Sequence, residues 1–151
     1  MANEKISLDE AVKGNLIIWA ALIMGMLFFG AISVFLVTSG VMKVDQMEQF
    51  ATFIYIVPSL AIVCVFAAFM VFKQKLAAIR EKSDIIAKIA EYRAALIIRW
   101  ALLEGPAFFG IVSYLLTGNI ILLSVAVAII AIFILLIPSR ARLEVDLEIN
   151  Y

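Results

Sequence analysis

Three stretches of this chain are too long and too apolar to lie exposed in water. Residues 14–38 contain no Asp, Glu, Lys or Arg, and the same holds for residues 49–72 and for residues 105–139. About 20 predominantly apolar residues are enough for a helix to cross the roughly 30 Å hydrocarbon core of a bilayer. In that core every backbone polar group must be satisfied internally, and continuous apolar runs without period-two alternation select helices over a barrel. The composition agrees: 66% of the residues are hydrophobic, against roughly 45–50% in soluble domains. An all-α integral membrane fold is therefore expected, and 151 residues make one compact membrane domain.

The runs place the elements. Residues 1–13 are polar and of mixed charge, and Ser7 with Glu10 has capping-box spacing, so a short interfacial helix is expected to begin there. The first span is 14–38, too long for a signal-peptide core and not preceded by a distinctly basic segment. A loop at 39–48 leads to the second span, 49–72, in which Pro58 predicts a kink. Residues 73–93 are the one long charged segment. They lack Gly and Pro and carry Leu76, Ile79, Ile86 and Ile89 as a partial apolar stripe, which predicts a helical hairpin turning at Ser83-Asp84. The third span, 94–117, turns at Thr117-Gly118-Asn119 into the fourth, 120–137, and Pro138 ends it. In the tail, Leu143, Val145, Leu147 and Ile149 alternate with acids, which is a strand pattern. A lone strand has no edge to pair with, so a short helical tail is the other reading.

The bases set the expected orientation. Residues 73–99 carry seven Lys and Arg, the amino terminus adds Lys5 and Lys13, and the carboxy terminus adds Arg140 and Arg142. The first connecting loop has only Lys43 and the third has none. The positive-inside rule then puts both termini and the middle hairpin in the cytoplasm, as four spans require.

A shift of 80 residues lays the third span on the first. Eleven of 21 positions match between 16–36 and 96–116, among them Gly25/Gly105, Phe28/Phe108, Phe29/Phe109, Gly30/Gly110 and Ser33/Ser113. Spans two and four align less fully at a shift of 67, through Lys73/Arg140, Lys75/Arg142 and Leu76/Leu143. The chain is thus expected to be a four-helix bundle of two tandem hairpins, about 14–80 and 94–147, related by a pseudo-twofold along the membrane normal. Ala21 and Gly25, and Ala101 and Gly105, form matched small-x-x-x-small faces, joined by Gly30 and Gly110. Packing of spans one and three through these residues is expected.

One position breaks the match. Glu104 stands where the first half has Met24, and Pro106 where it has Met26. A charge near the bilayer centre costs roughly 2.5–3.5 kcal/mol on insertion scales, so Glu104 is expected to be protonated, paired or facing a wet cavity. Pro106 removes a donor and frees the Leu102 carbonyl beside it. By depth, Ser59 and Tyr55 of span two are candidate neighbours, which together make a candidate proton or cation site. The bland alternative is a carboxyl that fixes helix packing. Arg99, nearer the interface, is expected to snorkel to it.

The third span resembles the carboxylate helix of rotor-ring c (proteolipid) subunits, which has an acid followed six residues later by glycine among Ala, Leu and Ile. Glu104 and Gly110 have that spacing, and the expected direction, cytoplasm to outside, agrees. A duplicated hairpin with one acid lost is similar to the vacuolar-type members. The resemblance implies proton or cation binding at Glu104. It covers residues 96–116 alone: span two offers only Ala61, Ala67 and Ala68 against a glycine-rich inner helix, and the middle loop has no Arg-Gln-Pro-like signature. As a whole the chain resembles the small uncharacterised four-span membrane proteins of bacteria.

The function classes narrow accordingly. With no histidine, and one cysteine, Cys64, inside an apolar run, neither a metal centre nor a nucleophile–base pair is expected, and no cofactor. Net charge is zero, so nucleic acid is not an expected partner. The expectation is a non-enzymatic inner-membrane protein of bacterial type, oligomeric or accessory to a membrane complex, with lipid and other membrane subunits as partners. The alternatives are a translocation unit centred on Glu104, or a binder of lipid or hydrophobic ligands suggested by Phe28-Phe29 and Phe108-Phe109.

Overall fold

The computed structural model describes residues 2–41 and 52–148, with side chains from Leu8 onward. Five helices follow one another: α1 (Ala2–Thr38), α2 (Phe53–Arg80), α3 (Ile85–Thr117), α4 (Ile120–Leu135) and α5 (Arg140–Leu147). The described residues contain no strand. Three helices are long and apolar enough to cross a membrane, or four if α4 and α5, which meet at 78°, are taken as one bent span. At 1.5 Å per residue, the 16 residues of α4 alone extend only about 24 Å, short of a 30 Å core.

Local chemistry sets the joints. Asp84 caps α3, its carboxylate accepting from Ile86 N–H at 3.0 Å, so the hairpin turn falls at Glu81–Asp84, as the sequence predicts. Gly118 ends α3 at φ 65°, a left-handed conformation that glycine adopts without steric cost, and its N–H donates to the Tyr114 carbonyl at 2.7 Å. Asn119 then opens α4 by accepting from Ile121 N–H.

One expectation gives way, and of the two readings of the tail the helical one holds. α1 is one continuous helix from Ala2, so Ser7 and Glu10 lie inside it and open no separate helix. The tail is helical. Ser139 caps α5, and Leu143 and Leu147, four residues apart, are buried on one face while Val145 is 72% exposed. The alternation to residue 147 is as compatible with an i, i+4 pair as with a strand, and burial decides for the helix. Ile149 lies outside the described residues, as does most of the expected 39–48 loop.

α3 is the centre of the molecule. The other three long helices all pack on it, whereas α1 and α2 share almost no contact among the described residues. Trp100, Leu103 and Ala107 of α3 are fully buried, with Phe133 of α4 and Met26 of α1. Toward the α3–α4 turn a second cluster gathers Val57, Tyr114 and Leu122. The outer faces are also apolar: Ile17 and Phe28 on α1, and Ile62 and Phe66 on α2, are largely exposed. Contiguous apolar exposure of this kind suits lipid as solvent, not water.

Candidate functional site

Glu104 is half-buried on α3 and makes no hydrogen bond or ion pair among the described residues. Its neighbours in sequence divide by face: Leu103, Pro106 and Ala107 turn into the core, and Gly105 is exposed. The expected partners do not reach it. α2 packs through Val57, Ala61, Ala68 and Phe72, which leaves Tyr55 76% exposed and Ser59 on the same open surface with Ile56, Leu60 and Val63. Met24, the repeat equivalent of Glu104, is exposed on α1.

The small residues separate in the same way. A Cβ on Gly25 or on Gly105 would meet nothing within 4 Å, and Ala21 and Ala101 are exposed. Within the chain, then, α1 and α3 do not pack through the faces expected. A Cβ on Gly30 would lie 3.7 Å from Ile111 Cδ1, in ordinary contact, and Gly110 marks a close approach to α4, where a Cβ would lie 3.1 Å from the Leu122 carbonyl and from Ala126 Cβ. α1 meets α3 instead through Phe29 and Phe108, with ring centroids 5.6 Å apart, while Phe109 packs on Phe53 at 5.9 Å. These phenylalanines pack against one another, and Phe28 faces outward.

A second polar group lies one and a half turns before Glu104 on α3. Arg99 is only 8% exposed. Its guanidinium carbon lies 3.9 Å from the centre of the Phe72 ring, and its buried Nε has no partner among the described residues. Arg99 is therefore covered by the protein instead of standing on its outer surface. Tyr92, two turns earlier on α3, packs on Phe72 with centroids 6.0 Å apart and donates its hydroxyl to Asp146 of α5 at 2.7 Å. Asp146 and Arg142 lie within electrostatic range of Arg99. The Asp146 carbonyl accepts from Arg80 Nε at 2.8 Å, and Arg80 also pairs with Glu148. On α1, Asn15, itself buried, accepts from Arg93 Nε at 2.9 Å, and Arg93 lies where a Cβ on Gly14 would be.

α5 is what closes this cluster. Its far end is held by Arg140, which bonds Glu144 at 2.7 Å and Asp9 of α1 at 2.9 Å. The Glu144 hydrogen bond, and then the charge of Asp9, hold the Arg140 guanidinium above its ordinary value, so it remains a cation. Once α5 is helical, Leu143 and Leu147 draw it under the bundle and put Asp146 beside Tyr92. The signal in the sequence was the Leu143–Leu147 spacing, obscured by the alternation it is part of.

The described residues contain no group of three His, Cys, Asp or Glu placed to hold a metal ion. The arrangement can hold an anion against Arg99 or a helix against the Glu104 face. No family model, curated protein or solved structure matches the chain.

Proposed function

We propose that this chain is a non-catalytic four-span subunit of a larger membrane assembly, built with a second copy of itself or with another membrane subunit. The observation that carries the reading is Glu104: a carboxyl within the third apolar helix with no partner among the described residues, beside the uncovered Ala101 and Gly105. A helix laid on this face would cover the carboxyl and let backbones approach closely. The matching open face at Ala21 and Gly25 fits a duplicated scaffold whose two halves dock alike. In this reading both termini and the hairpin around 81–84 are cytoplasmic, in the inner membrane of a bacterium, because the bases gather there.

A proton or cation path through Glu104 is the second reading, and it draws on the same carboxyl. Tyr55 and Ser59 face elsewhere, so its further ligands would come from the partner.

Cross-linking tests the assembly. In a Cys64→Ser background, Gly105→Cys and Gly25→Cys are oxidised in native membranes, and the extracted protein is sized in a mild detergent. Covalent dimers or a discrete heavier adduct at either position, with an assembly larger than one chain, are expected. Monomer alone, at both positions and by size, rejects the assembly. Glu104→Gln separates the two readings: it leaves cross-linking intact under both, and stops proton or cation flux only under the second.

A further inference from the structure

Arg99 poses a problem that the assembly does not solve. Its Nε is buried with no partner among the described residues, and a cation placed so is destabilising unless charge or hydrogen bonds are returned to it. The groups packed around it return little. Among the described residues, only the face of Phe72 on α2 touches the guanidinium, while Tyr92 of α3, whose hydroxyl is given to Asp146, and Asp146 and the like-charged Arg142 of α5 act on it through their charges alone. Two arginines thus have one carboxylate within electrostatic range, and that carboxylate already accepts from Tyr92. The site is short of one anion, and arginine is the side chain whose fork of donors fits phosphate oxygens.

The apolar surroundings indicate where the anion comes from. An open groove of about 560 Å³ runs between α2 and α4, lined by Pro58, Phe66 and Phe69 on one side and by Val125, Ala128 and Ile132 on the other. Phe69, at its lower end, is one turn before Phe72, the residue under Arg99. On the α4 side Ile132 is followed by Phe133, whose ring lies 6.4 Å from that of Trp100, next to Arg99 in the chain. From Pro58 to Phe69 the helix rises about 16 Å, close to the roughly 15 Å depth of one leaflet's hydrocarbon.

We propose that an anionic phospholipid binds here, with an acyl chain in the α2–α4 groove and its phosphate on Arg99, Arg142 supplying the second cation. Basic positions between spans at the cytoplasmic edge are where lipid headgroups are held. The site lies away from the Glu104 face and stands whether or not the chain assembles.

The test uses the full chain in non-ionic detergent, given phosphatidylglycerol, phosphatidylcholine or inorganic phosphate, with retained lipid read by native mass spectrometry and protection read by thermal unfolding. Phosphatidylglycerol is expected to bind about tenfold more tightly than phosphatidylcholine, the size of one charge-assisted hydrogen bond. Inorganic phosphate alone is expected to protect little. Ala128→Phe, which fills the groove, is expected to lose both lipids. Arg99→Gln is expected to lose the preference while keeping the binding of phosphatidylcholine, and Arg142→Gln, on an exposed side chain, to weaken the preference in part. Equal retention of the two lipids by the unaltered chain overturns the proposal, whatever the variants do. Protection by phosphate as strong as by phosphatidylglycerol, with Ala128→Phe silent, overturns it in favour of a free-anion site.

Discussion

Gly105 and Gly110 stand five residues apart on one helix in the same apolar setting, and the fold uses them in opposite ways. A methyl group on Gly110 would press on the Leu122 carbonyl and on Ala126, backbone and short side chain that cannot swing aside. Gly110→Ala is therefore expected to destabilise the α3–α4 contact by about 1–3 kcal/mol, the usual size for overpacking. Gly105→Ala meets open space, and removing a helix-interior glycine is expected to leave the isolated chain unchanged or more stable by up to about 1 kcal/mol. Thermal unfolding of the two variants side by side in detergent checks both, and equal midpoints would count against the α3–α4 packing described. Gly14 is a third kind of site. Arg93 occupies its Cβ position, so Gly14→Ala is expected to displace Arg93 from Asn15 and cost about 1 kcal/mol, the typical value of one hydrogen bond. Nothing in the sequence separates these glycines. In water the exposed face of a helix turns polar and so reports which face packs, but next to lipid both faces are apolar and that report is lost.

The charged and turn-forming residues, by contrast, were legible. Asp84 and Gly118-Asn119 each stand where a helix begins or ends, because capping needs particular side chains at particular places, in lipid or out of it; the Ser139 cap of α5 was not read from the sequence. What local chemistry could not supply was the return of α5 to the bundle, a contact between residues 54 apart at Tyr92 and Asp146. The burial of Arg99 against Phe72 of α2 is likewise a contact between distant parts of the chain that local sequence does not specify. The docking of α5 rests on Leu143, Leu147, the Tyr92–Asp146 hydrogen bond and the one that Arg80 Nε donates to the Asp146 carbonyl, since the exposed ion pairs Arg80–Glu148 and Arg140–Asp9 are screened by solvent and add little. Tyr92→Phe removes the bond and is expected to loosen α5 by about 1.5–3 kcal/mol, because the acceptor is a carboxylate. Limited trypsin digestion reads this directly as faster cleavage after Arg140 and Arg142. Leu147→Ala, at about 2–5 kcal/mol, is expected to accelerate it further.

At the scale of the molecule, α3 holds the others together, and α1 leans on it with little support from α2. An arrangement in which one helix serves as the common wall leaves α1 with a broad uncovered side, the side that carries Ala21, Met24, Gly25 and Phe28. That uncovered side and the Glu104 face of α3 are the two surfaces the proposed assembly would use, and the lipid site proposed at Arg99 depends further on the orientation proposed from the bases. Cysteine accessibility decides the orientation. In the Cys64→Ser background, Ser39→Cys after α1 and Ser83→Cys in the α2–α3 turn are both on exposed positions. An impermeant maleimide added to sealed, right-side-out vesicles is expected to label position 39 and to spare position 83 until the membrane is opened. Labelling of position 83 from outside would invert the chain. The clustered bases would then lie on the wrong face for the anionic leaflet, and Arg99 and Arg142 would have to find their anion elsewhere than in a cytoplasmic-leaflet lipid.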